Sequence, residues 1–290
     1  MKRVKTITMI IWLASYPKSG NTWVRSIISA LLYSKDGNHS FDQLDYIDQY
    51  PLKKYFENLI DDFYDLEKIK KNWAASQDLI NLDGKIKFLK THHINCRFGE
   101  NVFTNNTNSL GVIHIVRDPR NLISSIKHHW SLDDYHSAKN RMFDVEASTG
   151  MKPEINKDYS FPVLISSWDN HYNHWKKIKK NYLLIRYEDL VNDVENELMK
   201  IIKYLKRFIK FEVNNEKIKN VLKTTSFDYL KKMENNGLFR ESNIDNRTGK
   251  LKTFFNKGPE NKWKNLIEEE IINDVEKKFY NEMKELDYII

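Results

Sequence analysis

An apolar run from Ile7 to Ala14 passes without a linker into the turn-forming sequence Ser15-Tyr16-Pro17-Lys18-Ser19-Gly20. From there the chain enters a segment in which Val24, Ile27, Ile28, Leu31 and Leu32 recur at i, i+3, i+4, i+7 and i+8. The first pattern is that of a strand buried on both faces, the second that of a helix with one buried face. The chain therefore opens as strand, loop and helix, with the helix expected over residues 20 to about 34 and stopped at Gly37. A strand buried on both faces needs neighbours and cover. Shorter apolar runs at Ile86–Leu89, Val112–Val116 and Tyr182–Ile185 alternate with helical patterns near 120–130, 162–180 and 189–208, and a last helical stretch spans Trp263 to Leu286. Strands alternating with helices predict an α/β fold, a central mainly parallel β-sheet flanked by helices. Nothing in repeats, linkers or composition divides residues 1–290, which read as a single domain; the segment 131–161, poor in apolar residues and holding Gly150 and Pro153, reads as a flexible insertion.

Several function classes drop out on residue usage. Lys2, Arg3 and Lys5 ahead of the apolar run imitate a secretory leader, but the run is short, carries Thr8 and leads straight into the turn. No stretch approaches the roughly 20 apolar residues of a bilayer span, so a cytoplasmic protein without a membrane span is expected. One cysteine, Cys96, allows neither an internal disulfide nor a Cys-based zinc site and suits a reducing compartment. The 47 basic residues exceed the 40 acidic ones by +7, yet they are spread among the acids, which describes a solvated surface better than a nucleic-acid face. Only ten of the basic residues are arginines, so each bears individual inspection. There is no G-x-G-x-x-G, and neither Gly84-Lys85 nor Gly249-Lys250 is followed by Ser or Thr; G-x-S-x-G and H-E-x-x-H are also absent. The histidine pairs 92/93, 128/129 and 171/174 lack carboxylate or cysteine partners at ligand spacing, and no metal is expected.

A turn joining a buried strand to a helix start presents unpaired N–H groups and the positive end of the helix dipole, a setting for an anion. Laid on G-x-x-x-x-G-K-[ST], this loop keeps Gly20 and Thr22, has Ser15 for the first glycine, and has Asn21 where the lysine belongs. The lysine stands three positions earlier, at Lys18. This P-loop-like loop reads as a phosphate cradle whose cation is aimed at a different bond, and the missing lysine counts against a nucleotide or small-molecule kinase. Taken alone, a plain strand-to-helix turn with an incidental lysine explains the loop equally well.

Other segments remove that ambiguity. Tyr16-Pro17-Lys18-Ser19-Gly20-Asn21-Thr22-Trp23 resembles the 5′-phosphosulfate motif of the cytosolic-type sulfotransferases, which use 3′-phosphoadenosine 5′-phosphosulfate (PAPS). Arg117-Asp118-Pro119-Arg120-Asn121-Leu122-Ile123-Ser124-Ser125 resembles that family's 3′-phosphate motif, with Arg117 and Ser125 at its eight-residue spacing and Pro119 suited to a first helical turn. Tyr187-Glu188-Asp189-Leu190, Thr225-Ser226-Phe227 near the adenine, and Phe254 to Lys264 keep the family order. The resemblance spans roughly residues 7 to 287. It implies PAPS as donor and its desulfated product PAP, no metal, and a nucleotide site made by Lys18, Ser19, Gly20, Asn21, Thr22, Trp23, Arg117, Ser125, Tyr187, Thr225, Lys257 and Gly258. It departs at Asn256, where the family carries an arginine that helps hold the 3′-phosphate, and at Asn261-Lys262, which replace Gly-Asp. Arg117 is then expected to carry most of the discrimination for the 3′-phosphate, with Arg247 or Lys250 as stand-ins for the missing arginine.

Sulfuryl transfer to a hydroxyl needs a base, in-line geometry and stabilisation of charge on the leaving phosphate. Lys87-Phe88-Leu89-Lys90-Thr91-His92-His93 resembles the family's K-T-H motif, whose histidine is the general base; register selects His92, and His93 should point the other way. The same resemblance makes Lys18 the electrostatic catalyst and Lys90 an aid to the sulfonate. The acceptor is a small molecule, lipid or glycan; His128, His129, Trp130, Tyr135 and His136 offer a pocket wall, and the 131–161 insertion stands near it in the chain.

Overall fold

The computed structural model describes residues 9–150, 161–242, 249 and 251–290. Lys2, Arg3, Lys5 and Ile7 of the basic and apolar start, residues 151–160 of the expected insertion, and the proposed stand-ins Arg247 and Lys250 lie outside them. The first half runs β1 (Ile10–Ser15), α1 (Asn21–Tyr33), β2 (Asp48–Gln49), α2 (Leu66–Asn81), β3 (Lys87–Thr91), β4 (Arg97–Phe98), β5 (Asn101–Val102) and β6 (Ser109–Val116). The second half runs α3 (Pro119–Trp130), α4 (Tyr135–Phe143), β7 (Ser148–Thr149), β8 (Val163–Leu164), α5 (Trp168–Lys176), β9 (Tyr182–Arg186), α6 (Tyr187–Asn192), α7 (Val194–Leu205), α8 (Asn215–Thr224), α9 (Phe227–Asn235), α10 (Glu269–Lys278) and α11 (Tyr280–Glu285). This is the expected α/β fold, a parallel sheet of five strands in the order β2-β3-β1-β6-β9, with β4–β5 and β7–β8 as small antiparallel pairs. Within it the chain packs as two compact units, one of residues up to Tyr16, Asp48–Ile115 and Arg141–Leu184, the other of Pro17–Ile47, Val116–Asn140 and Ile185–Ile290.

The first unit is built on β1, the middle strand, whose six residues are all buried. Trp12 is the centre of its core, with the rings of Tyr50, Phe103 and Trp175 within 5.4–6.0 Å and its indole N–H donating to Ser109 Oγ at 2.7 Å. Burying a ring of this size contributes more than any aliphatic residue in the strand, and the paired N–H removes the cost of taking it out of water. Because β1, β3 and β6 run parallel, Ser15, Thr91 and Ile115 end at one edge of the sheet.

The second unit buries Val24, Ile27, Ile28 and Leu31 of α1, the face predicted by their period. Its α3 is anchored by Arg120, which pairs with the cap residue Asp118 at 2.6 Å and with Glu276 at 2.6 Å, donates to the Tyr288 carbonyl at 2.7 Å, and stacks over Trp263 at 4.3 Å. Arg120, one of the two arginines of the segment 117–125, is thus a buried structural clamp.

The structure differs from the sequence pattern at element ends. The helix expected over 189–208 is two, because Asp193 leaves helical geometry and uses its side chain to cap α7 through Asn196 N. The one expected over 162–180 starts only at Trp168, since residues 163–164 pair as β8 with β7. The tail breaks into α10 and α11 at Phe279. Residues 135–143 of the expected insertion form α4, held by the fully buried Ala138 and Met142, one helical turn apart. No helix of the described residues is long and apolar enough to cross a membrane.

Four buried histidines resist protonation. Burial lowers His39 to about 4 and His93 and His114 to about 3, and lowers His171 well below its ordinary value. Since the unfolded chain takes up protons near pH 6.5 and the folded chain does not, stability is complete above that pH and falls as the pH drops toward 4. Each histidine should contribute a slope of up to about 1.4 kcal/mol per pH unit in that window. Urea midpoints measured between pH 7.5 and 4.5 should fall accordingly, and less steeply for a His93→Asn variant; pH-independent midpoints would contradict it.

Candidate active site

The loop between β1 and α1 departs from ordinary backbone at two residues, Lys18 with φ 70° and Gly20 with φ 99°. Glycine adopts this geometry at little cost, and no other residue fits, because a Cβ at Gly20 would stand 2.7 Å from Cδ2 of Tyr187. For Lys18 the left-handed backbone costs about 1 kcal/mol or more. It is held by Arg117, whose Nη1 donates to the Lys18 carbonyl at 3.2 Å. The Lys18 ammonium lies over the Phe254 ring, 3.8 Å from its centroid.

Helix α1 begins without a side-chain cap and without an acidic residue in its first turn, so its leading N–H groups and its dipole suit an anion. Asn21 and Thr22, which open it, are buried. Ser19 Oγ, Trp23 Nε1 and Arg117 Nε are buried without a hydrogen-bond partner among the described residues. Buried donors are rarely left so, and a hydroxyl and two N–H groups at this loop fit a phosphate-bearing ligand.

Arg117 follows β6 and is almost wholly buried. Its guanidinium stacks over Tyr187 at 4.0 Å, and its Nη2 donates to the Gly258 carbonyl at 3.4 Å. Tyr187 also meets the Trp23 ring edge-on at 5.7 Å. Lys18, Gly20, Trp23, Arg117, Tyr187 and Gly258 are thereby brought together. The neighbouring Glu188 accepts from the Asp118 N–H at 3.1 Å, and burial, with the Asp118 charge beside it, pushes its carboxyl up.

The remaining expected nucleotide residues are placed less directly. Ser125 is half-buried on α3, and Lys257 is exposed at the start of the short turn Gly258–Glu260. Thr225 is buried and donates its hydroxyl back to the Val221 carbonyl at 2.8 Å, closing α8. Asn261, the first of the two residues that replace the family's Gly-Asp, accepts from Ser124 Oγ and donates to the Asn121 carbonyl at 2.7 Å, latching this segment to α3.

In the first unit, β3 ends at Thr91 and the two adjacent histidines part. His93 is fully buried, stacked on Phe103 at 4.1 Å, with Nδ1 donating to the Ile94 carbonyl at 2.6 Å. His92 is half-buried, with Nδ1 2.8 Å from the Ser15 carbonyl and 3.2 Å from Ser15 Oγ. A carbonyl only accepts, so Nδ1 carries the proton and Nε2 the lone pair. Lys90, two residues earlier, is half-buried on β3, its carbonyl accepting from Tyr50 N at 2.8 Å. His171 was not singled out as a site residue by the sequence; it is buried edge-on to Tyr16 at 5.7 Å and hydrogen-bonds the His92 backbone. Only its place on the apolar face of α5 could have pointed to it. Among the described residues no three His, Cys, Asp or Glu side chains are grouped to hold a metal ion.

The second unit also carries a small, open surface cleft lined by Lys18, His128, His129, Lys252, Thr253 and Phe254. Two of the residues expected to wall an acceptor pocket, His128 and His129, thus line the same surface cleft as Lys18.

Residues 10–287 match the sulfotransferase domain family. The chain is 23% identical to the amine sulfotransferase of Oryctolagus cuniculus over 95% of its length and 81% of the relative's. It is 25% identical to the flavonol 3-sulfotransferase of Flaveria bidentis, over 92% and 79% of the two chains. Its fold is similar to the crystal structure of mouse sulfotransferase SULT7A1 complexed with PAP, with a TM-score of 0.58, 18% identity, and 96% and 87% of the chains covered.

Replacing Gly20 by alanine tests the loop geometry. The collision with Tyr187 and the left-handed backbone should together cost about 1–3 kcal/mol, read as a lower urea midpoint. A Gly20→Ala protein as stable as the wild type would overturn the close approach described here.

Proposed function

Because the chain belongs to the sulfotransferase domain family, we propose that it transfers a sulfuryl group from PAPS to a hydroxyl or amine of a small-molecule, lipid or glycan acceptor. The observation that carries the donor assignment is the cradle around Tyr187, where an uncapped helix start with no acidic residue in its first turn, the strained Lys18 and the buried Arg117 bring positive charge together. A kinase would need the lysine of the usual phosphate loop, and Asn21 stands there.

In this reading His92 takes the acceptor proton at Nε2, the nitrogen left basic by the Nδ1 bond to Ser15. As the acceptor oxygen forms its bond to sulfur, the bond from sulfur to the phosphate oxygen breaks, and the Lys18 ammonium meets the charge gathering on that oxygen. Ser19 to Trp23 hold the 5′-phosphate through amides and side chains, Arg117 with Ser125, Lys257 and Gly258 holds the 3′-phosphate, and Tyr187 and Thr225 border the nucleotide. Lys90 assists the sulfonate. The sulfuryl group carries less charge than a phosphoryl group, so fixed cations suffice and no metal is assigned a role.

Labelled PAPS offered with pooled glycans, lipids and phenols should pass its label to one class, and transfer to none, with PAP also failing to bind, would refute the assignment. Lys18→Ala should lower turnover far more than PAP affinity, because it meets charge that develops in the transition state. A variant with normal turnover and weak binding would make Lys18 a ground-state ligand. His92→Ala should lose roughly 10²–10⁴-fold in rate with nucleotide affinity kept, whereas His93→Ala should lose stability while its folded fraction stays active. The reverse pattern would make His93 the base.

A further inference from the structure

One departure from the family pattern leaves a gap in charge. Asn256 stands where an arginine would help hold the 3′-phosphate. Helix α9 grips this part of the chain with one face. Phe227, Lys231 and Glu234 lie at i, i+4 and i+7 and so project from the same side. The Phe227 ring packs against Gly258 so closely that a Cβ there would collide with it. Glu234 accepts from the N–H groups of Phe254 at 2.5 Å and Phe255 at 2.9 Å, and from Ser242 Oγ at 2.9 Å, so its charge is spent on three donors. Lys231 Nζ donates to the carbonyl of Asn256 itself, at 3.1 Å.

Lys231 differs from the other lysines bound nearby. Lys252 places its ammonium on the His128 and His129 carbonyls and Ser131 Oγ, which occupies all three of its N–H groups. Among the described residues Lys231 has the Asn256 carbonyl as its one hydrogen-bond partner and no carboxylate beside it. Two N–H donors and a full charge are then unspent at the residue that lacks its arginine. Two positions on, Arg117 holds the Gly258 carbonyl. The loop Asn256-Lys257-Gly258 is therefore gripped by a cation at each end and carries a third between them.

We propose that Lys231 is a specificity-determining residue, supplying from α9 the cation that Asn256 cannot and holding the 3′-phosphate of the donor together with Arg117. The inference rests on the PAPS reading above and adds to it a residue that no motif marks. A phosphate bearing up to two charges binds more tightly for each added charge-assisted donor, and a lysine reaching in as a point charge tolerates a loop shape that a planar guanidinium would not.

The test is calorimetric binding of adenosine 3′,5′-bisphosphate and adenosine 5′-monophosphate to the full chain, in wild type, Lys231→Met, Lys231→Arg and the double variant Lys231→Met/Asn256→Arg. Methionine keeps the aliphatic stem, and thermal melts check that each variant is folded. Wild type should prefer the bisphosphate, Lys231→Met should lose about 10- to 100-fold of that preference with monophosphate affinity unchanged, and the arginine at either position should restore it. If wild type shows no preference for the bisphosphate, the PAPS reading fails and this inference with it. If wild type prefers the bisphosphate and Lys231→Met keeps the preference, or weakens both nucleotides equally, Lys231 is a loop clamp only and the inference alone is overturned.

Discussion

The stacking of Arg117 on Tyr187 is the contact on which the second unit depends. One guanidinium covers the tyrosine ring and donates to carbonyls of the first loop and of the Gly258 turn, so three segments distant in sequence are tied through two side chains. The same ring meets Trp23 edge-on and leaves no room for a side chain at Gly20, the residue before α1. That tightness keeps Lys18 in a backbone conformation it would not choose and keeps the helix start free of a cap. Strain of this kind persists only where the surroundings over-determine it, and it is a common property of sites that bind and react.

The histidine arrangement follows a different logic. Four rings are buried deeply enough to stay neutral, and two of these, His93 and His114, have a ring nitrogen hydrogen-bonded to the Ile94 carbonyl and the Tyr182 hydroxyl. They behave as polar members of the core. His92 alone of the adjacent pair is half-buried, and its Nδ1 bond to the Ser15 carbonyl selects the tautomer a base requires. A one-residue difference in position along an extended backbone thus separates a packing residue from a residue able to exchange a proton.

Much of this was legible in the sequence because buried strands and periodic helices leave strong patterns. The order of the main strands and helices and the loop from Ser15 to Gly20 were expected from spacing, and the parting of His92 and His93 from the alternation of an extended backbone. Helix ends were not, since they depend on single polar residues such as Asp193, whose capping bond has no apolar signature. Helix α2 was passed over because Ile69, Trp73 and Ile80 sit among charged and amide side chains that dilute its period. The roles of Tyr187 as a packing hub, of Asn261 as a latch, and of Lys231 and His171 arise from contacts between residues far apart in the chain, which no local pattern records.

The central claim is that the cradle is built for a nucleotide phosphorylated at both the 3′ and 5′ positions, with its lysine moved from the place of Asn21 to Lys18. Titrating the protein at moderate salt with adenosine 3′,5′-bisphosphate, with ATP and magnesium, and with an oligonucleotide tests it most directly. The account predicts saturable one-to-one binding of the bisphosphate, well ahead of the other two. Tighter binding of magnesium-ATP or of the oligonucleotide would contradict it.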